Sequence, residues 1–211
     1  PLTLKTPKPL LELDNITILE RCISMIIELG VQKIFLNTFH LGDQISEFIK
    51  NKKFPINVEI IHDGKEILDS GGGILSMIKN SEDNDFIIFN PDTLWNKEYI
   101  DEINKMQNFY FSNKLNNILL VTNKKLSFDK GLKGDFKLTN NILKKNDNND
   151  FIYIGCQILN RNLFKRYKEE SFPISEIWNE LLKKKILNGF ECSNKFYHLT
   201  NLEIFKKLQD F

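Results

Sequence analysis

Apolar residues recur at Ile16, Leu19, Ile23 and Ile26, the three-to-four-residue spacing of a helix buried along one side. Asp14 and Asn15 stand where they can cap its start, and Gly30 where it can end. VQKIFLN, residues Val31 to Asn37, then reads as a strand, and Leu41, Ile45, Phe48 and Ile49 mark a second helix. NVEIIH (Asn57 to His62) is a strand, and SGGGILSMI reads as a turn running into a helix. DFIIFN (Asp85 to Asn90) carries four consecutive apolar residues between polar ones, the pattern of a strand covered on both faces. A helix is expected over Tyr99 to Phe111, with Ile100, Ile103 and Met106 on one stripe, and NILLVT (Asn117 to Thr122) is a second buried strand.

Strand and helix alternate at a rhythm that predicts an α/β fold: a Rossmann-like, mainly parallel sheet flanked by helices. After Thr122 the rhythm changes. Residues Asn123 to Asp150 are polar, with short hairpin strands expected between Phe136 and Lys144. FIYIGCQIL (Phe151 to Leu159) returns to the core. Helices are expected at Leu163 to Lys168 and Ser175 to Lys185, short strands near Phe190 and Phe196, and a last helix from Asn201. This second part reads as a small mixed C-terminal lobe on the same core, so residues 1–211 are expected to form one domain.

Composition narrows the function. The formal net charge is +1, which argues against a protein drawn to nucleic acid or a membrane surface by bulk charge. No apolar run reaches spanning length and no signal peptide is visible, so a cytoplasmic location is expected. Cys22, Cys156 and Cys192 are odd in number and widely spaced, the mark of reduced thiols rather than of a disulfide framework or zinc site.

In open parallel sheets ligands bind beyond the carboxyl ends of the strands. Asp92 lies there, in Asn90-Pro91-Asp92, and a carboxylate so placed suits magnesium, which takes one or two carboxylates plus phosphate oxygens and waters. The same triplet is also good turn chemistry. Ser70-Gly71-Gly72-Gly73 would let a ligand approach the backbone closely, or would simply be a flexible turn. Lys8, between Pro7 and Pro9, is expected in extended backbone, its ammonium either a phosphate ligand or an exposed charge. Lys133 and Asp135 serve a polar ligand or a hairpin turn. His40 and His62 follow strands and read as structural or solvated.

These pieces occur in one order: PLT-x-x-x-PKPLLE, Leu41-Gly42-Asp43-Gln44-Ile45, Leu68-Asp69-Ser70-Gly71-Gly72-Gly73, Asn90-Pro91-Asp92, Gly134-Asp135-Phe136, Tyr153-Ile154-Gly155-Cys156 and Ile174-Ser175-Glu176-Ile177-Trp178. So ordered, the chain resembles the sugar-1-phosphate nucleotidyltransferases. It is similar to short bacterial members related to N-acetylmuramate-1-phosphate uridylyltransferase and to mannose-1-phosphate guanylyltransferase-like proteins. The resemblance implies an enzyme of nucleotide-sugar biosynthesis that moves a nucleoside monophosphate from a nucleoside triphosphate to a sugar 1-phosphate and releases pyrophosphate. It implies Mg2+ as cofactor and a monomer or small homo-oligomer. Residues 1–122 would form the nucleotide-binding half and 123–211 the sugar-phosphate half. Lys8 and Asp92 would carry catalysis. Lys8, Ser70, Gly71, Gly72, Gly73 and Asn90 would bind nucleotide, and Gly134, Asp135 and Gly155 the sugar phosphate. Asp92 and His198 would face the metal.

Four departures matter. The family has a first strand and a glycine-rich loop with an arginine just before Pro-Leu-Thr, and this sequence is expected to begin after them. Pro91 replaces a usual glycine. His198 stands where muramate-type relatives carry a metal-binding Asp, and imidazole is a poor magnesium ligand. The Gly-Thr that follows that Asp in relatives is also absent, and Thr200 to Glu203 instead fits a capping box for the last helix. A catalytically degenerate nucleotide-sugar-binding or regulatory relative is the alternative reading. A dehydrogenase lacks support, because no Gly-x-Gly-x-x-Gly is present.

Overall fold

A computed structural model describes residues 5–209. Its elements are, in chain order, β1 (Glu12–Leu13), β2 (Ile16–Thr17), α1 (Ile18–Glu28), β3 (Lys33–Thr38), α2 (Gly42–Lys52), β4 (Asn57–His62), α3 (Asp69–Ile78), β5 (Asp85–Phe89), α4 (Glu98–Ser112) and β6 (Asn117–Asn123). There follow β7 (Lys137–Thr139), β8 (Ile142–Lys144), β9 (Phe151–Asn160), α5 (Ser175–Lys183), β10 (Gly189–Cys192) and α6 (Leu202–Gln209).

β10, β6, β9 and β5 make one sheet in that order, and β3 and β4 pair in parallel as a second. The α/β class is as expected. The sheet is more mixed than the strand–helix rhythm implied, because β9 runs antiparallel to both β5 and β6. The polar stretch after β6 forms the β7–β8 hairpin and no crossover helix, so the chain re-enters the sheet in the opposite direction. Two apolar layers cover the strands. Side chains of α1, α2 and α4 meet Ile118 and Leu120 of β6 on one face, and those of α3 and α5 meet Leu119 and Val121 on the other. That alternation along β6 is the period of a strand buried on both faces.

Several local expectations are corrected. Asp14 and Asn15 do not cap α1. Both have positive φ, 52° and 60°, and form the two-residue turn of the β1–β2 hairpin, a conformation Asp and Asn tolerate. Thr17 is the cap, its hydroxyl accepting from the Glu20 amide at 3.1 Å. Gly30 ends the helix at φ 78°, as its freedom from a Cβ allows. Lys8 is not extended. It opens a single tight turn, Lys8–Leu10, closed by the Leu10 amide on Pro7 carbonyl, and the backbone is extended only at Pro7 and Leu11 on either side.

The helix expected over Leu163 to Lys168 is one turn, Arg161–Phe164, capped by Asn160. Phe196 makes an isolated bridge with Ser127 and no strand. α6 is capped by Asn201, whose side-chain oxygen accepts from the Ile204 amide at 3.0 Å. Thr200 donates instead to Asp129 and Glu203 pairs with Lys207, so no capping box forms. Cys22, Cys156 and Cys192 are buried free thiols, and burial raises all three above the ordinary thiol range. Among the described residues no helix is long and apolar enough to cross a membrane.

Candidate active site

The segment after β5 is held from two sides. The Asn90 amide donates to Gly155 carbonyl at 2.7 Å, and the buried Thr93 hydroxyl donates to Ile154 carbonyl at 2.8 Å, which ties it to β9. Thr93 also bridges His198: Leu94 donates to Tyr197 carbonyl, and Leu199 to Asp92 carbonyl, each at 2.9 Å. This short antiparallel pairing sets the His198 ring beside the Asp92 carboxylate. Gly155 allows the close approach. It has φ 87°, and a Cβ there would lie 3.0 Å from both Asn90 Cβ and Thr93 Oγ1.

Lys8 joins the group from the other end of the chain. Its Nζ donates to Asp92 Oδ2 at 2.9 Å across 84 residues of sequence, with both side chains about one-third exposed, at 33% and 29%. The other carboxylate oxygen, Oδ1, faces His198 Nδ1 at 3.7 Å, too far for a hydrogen bond. Both atoms are buried without a hydrogen-bond partner. Burial holds the His198 imidazole below its usual range, against the opposing pull of Asp92, so it is neutral at pH 7. Its ring stacks on Phe196 at 5.7 Å.

A cavity of about 310 Å³ opens here, lined among others by Asn90, Asp92, Asp135, Tyr153, Gly155 and His198. Asp135 anchors its far wall by accepting from the Tyr153 amide at 2.9 Å. Lys133 also lines it. Of the residues singled out from sequence, Asn90, Asp92, Asp135, Gly155 and His198 therefore share one cavity, and Lys8 is bonded to it through Asp92.

Gly134 lies apart, packed on the backbone of Asn149 and Asp150. Ser70, Gly71, Gly72 and Gly73 do not line the cavity. They are the first turn of α3 rather than a loop ahead of it. The Gly71 and Gly72 amides both donate to Phe172 carbonyl, and Cβ atoms at these positions would collide with Phe172 and the Glu170 backbone. Ser70 Oγ accepts from the Ile174 amide at 3.0 Å. Gly71 and Gly72 serve close packing of α3 on residues 170–174, and Gly73 its packing on Asn37 of β3. His62 bonds Thr38 at 2.9 Å and is structural, and His40 is exposed. Pro1, Leu2 and Thr3 of the opening motif lie outside the described residues.

Two lining residues had no sequence signal that separated them from the core: Thr93, and Tyr153, whose hydroxyl is buried without a partner and held protonated by burial first, then by Cys156 and Asp92. Among the described residues no cluster of three His, Cys, Asp or Glu side chains could hold a metal. The partnerless Asp92 Oδ1 fits magnesium's habit of taking one carboxylate and completing its shell with phosphate and water.

No protein-family model matches the chain. Solved structures do. HddC from Yersinia pseudotuberculosis complexed with GMP-PN superposes with a TM-score of 0.77 at 19% identity, over 97% of this chain and 89% of that one. The inositol-1-phosphate CTP transferase from T. maritima gives 0.78 at 12% identity, over 97% and 86%. A UDP-glucose pyrophosphorylase complexed with UDP-glucose gives 0.75 at 15% identity, over 100% and 91%. With its cavity at the carboxyl end of β5 and these neighbours over nearly its whole length, the chain has the fold of the sugar-1-phosphate nucleotidyltransferases.

Proposed function

We propose that the protein transfers a nucleoside monophosphate from a nucleoside triphosphate to a sugar 1-phosphate. The observation that carries this reading is the Lys8–Asp92 pair at the edge of the cavity shared by Asp135, Gly155 and His198. An oxygen of the sugar phosphate attacks the α-phosphorus, the bond to the β-phosphate oxygen breaks, and pyrophosphate leaves. Negative charge accumulates on the departing group, and Lys8 is the fixed positive charge beside it. Preorganised charge of this kind is worth roughly 10² to 10³ in rate per donor. Residues 1–122 supply the nucleotide side and 123–211 the sugar-phosphate side.

A magnesium ion, when bound, would offset phosphate charge, and Asp92 Oδ1 is the oxygen that would hold it. His198 stays neutral, so it adds no positive charge of its own and offers a buried ring nitrogen to the same space. The glycines of α3 act indirectly, by setting the helix that borders the nucleotide side. Mannose-1-phosphate guanylyl and N-acetylmuramate-1-phosphate uridylyl transfer are the two substrate pairs to try first. The test is pyrophosphate release by the purified protein against a panel of nucleoside triphosphates and sugar 1-phosphates with Mg2+. Release that requires both substrates supports the proposal. Nucleotide binding without release under any pair would instead favour a catalytically degenerate relative.

A further inference from the structure

One carboxylate at the site faces claims from two cations. Lys8 Nζ donates to Asp92 Oδ2 at 2.9 Å, and the second oxygen, Oδ1, is the one that a magnesium ion would take. With Lys8 in place the pair sums to zero charge. Among the described residues no other lysine or arginine comes within 4.0 Å of Asp92, and no group of three His, Cys, Asp or Glu side chains could hold an ion. A divalent cation on Oδ1 would therefore share a single negative charge with an ammonium already on Oδ2. Like charges that close repel by well over thermal energy at a half-exposed position. Magnesium also gives up its waters reluctantly, and one carboxylate that is already neutralised offers little in return.

The two partners are not held equally. Asp92 is fixed through its backbone: its carbonyl accepts from the Leu199 amide at 2.9 Å, and its neighbours Asn90 and Thr93 are bonded to β9. Lys8 is anchored only at its own turn, by the Leu10 amide on Pro7 carbonyl and the Leu11 amide on Lys8 carbonyl, at 2.9 and 3.1 Å. Beyond that turn its side chain is a flexible stem whose partner among the described residues is Asp92. The pair is one-third exposed, and ion pairs open to water are weakly held. A phosphate chain carries more negative charge than a carboxylate and accepts strong charge-assisted hydrogen bonds from an ammonium. The carboxylate is thus the fixed half of the pair, and the ammonium is the half that can change partner.

We propose that Lys8 is a placeholder cation. In the free protein its ammonium neutralises Asp92 and keeps a lone divalent ion off the carboxylate. When a triphosphate reaches the edge of the cavity, the ammonium passes from Asp92 Oδ2 to phosphate oxygens, and Asp92 is released to the cation that the phosphates carry. Ion and triphosphate are therefore taken up together rather than one after the other. Lys8 acts with opposite signs on the two ligands: it opposes the ion alone and favours the ion with its phosphates. This inference rests on reading the cavity as a triphosphate site. Its test reads binding alone, so its failure leaves nucleotidyl transfer standing, and a failure to release pyrophosphate leaves the two binding signs standing.

The test uses Mn2+ as a paramagnetic stand-in for Mg2+ and compares wild type, Lys8→Met and Lys8→Arg at one ionic strength. Binding of Mn2+ alone is read from the loss of the free ion's paramagnetic resonance signal. Lys8→Met should bind it at least about tenfold more tightly than wild type, and Lys8→Arg, which keeps the charge, within about twofold of wild type. Binding of the preformed Mn2+–tripolyphosphate complex, followed by calorimetry, should go the other way, about tenfold weaker in Lys8→Met. Adding Asp92→Asn to Lys8→Met should abolish the gain in Mn2+ affinity. Lys8→Gln replaces Lys8→Met if the latter does not keep the wild-type circular dichroism. Equal or weaker binding of Mn2+ alone by Lys8→Met would overturn the proposal, as would a gain of the same size in Lys8→Arg. Tighter binding of both ligands would make Lys8 an obstacle only and overturn it equally. A gain that survives Asp92→Asn would put the ion elsewhere, with the same result.

Discussion

The hydroxyl of Tyr153 is buried in the free protein with nothing to bond. Such a group costs about 1–3 kcal/mol of stability. Tyr153→Phe should therefore raise the urea midpoint, by about 1 kcal/mol once converted, where most core changes lower it. A drop would mean that the hydroxyl has a partner in solution. The same residue marks a limit of legibility. In FIYIGCQIL the first four residues are all apolar, and the register of β9 on β6 shifts between Leu119 and Val121. Period two no longer tells which side chains face the cavity, so Tyr153 read as core. Asp92 stood out by its position after a buried strand, a local feature, whereas the prolines around Lys8 predicted extended backbone where the chain makes the Lys8–Leu10 turn. The distance between them, 84 residues of sequence closed to 2.9 Å, was not local, and only the resemblance suggested it.

At the scale of elements, glycine and asparagine carried the ambiguity. Asp14-Asn15 suits a helix cap and a hairpin turn equally well on composition, and the pairing of Leu13 with Ile16 decides for the turn. Ser70 to Gly73 suits a loop or a helix pressed against another segment, and residues 170–174, a hundred positions away, decide for the helix. Gly72→Ala would ordinarily favour a helix, but here the methyl meets the Glu170 carbonyl. It should destabilise by about 1–3 kcal/mol in denaturant unfolding, and a neutral or stabilising result would remove the packing role.

The hairpin lobe is tied down by charge. Lys137 and Lys124 reach Asp150 at 2.6 and 3.4 Å and hold its carboxyl below the usual carboxylate range. A lowered folded pKa contributes stability above the unfolded value near 3.8, and that contribution is lost as pH falls through the lower folded value. Asp150→Asn should therefore be less stable than wild type at pH 7, and the gap should close in thermal melts toward pH 2. A gap independent of pH would show that the loss is not electrostatic.

At the scale of the whole molecule, one short segment links the four-stranded sheet to the chemistry. Asn90 to Leu94 leaves β5, bonds β9 on one side and residues 197–199 on the other, and presents Asp92 to Lys8. The α/β architecture that does this was legible because buried strands and one-sided helices have different periods. The antiparallel course of β9 was not, because direction depends on what connects two strands rather than on either strand's own residues. The central claim is that Lys8 and Asp92 together stabilise a departing pyrophosphate. It is tested most directly by the rate of pyrophosphate release, at saturating substrates and Mg2+, from wild type, Lys8→Met and Asp92→Asn proteins whose circular dichroism and melting are the same. Each substitution should slow release by roughly 10² to 10³. A folded Asp92→Asn protein that releases pyrophosphate at the wild-type rate would contradict the account.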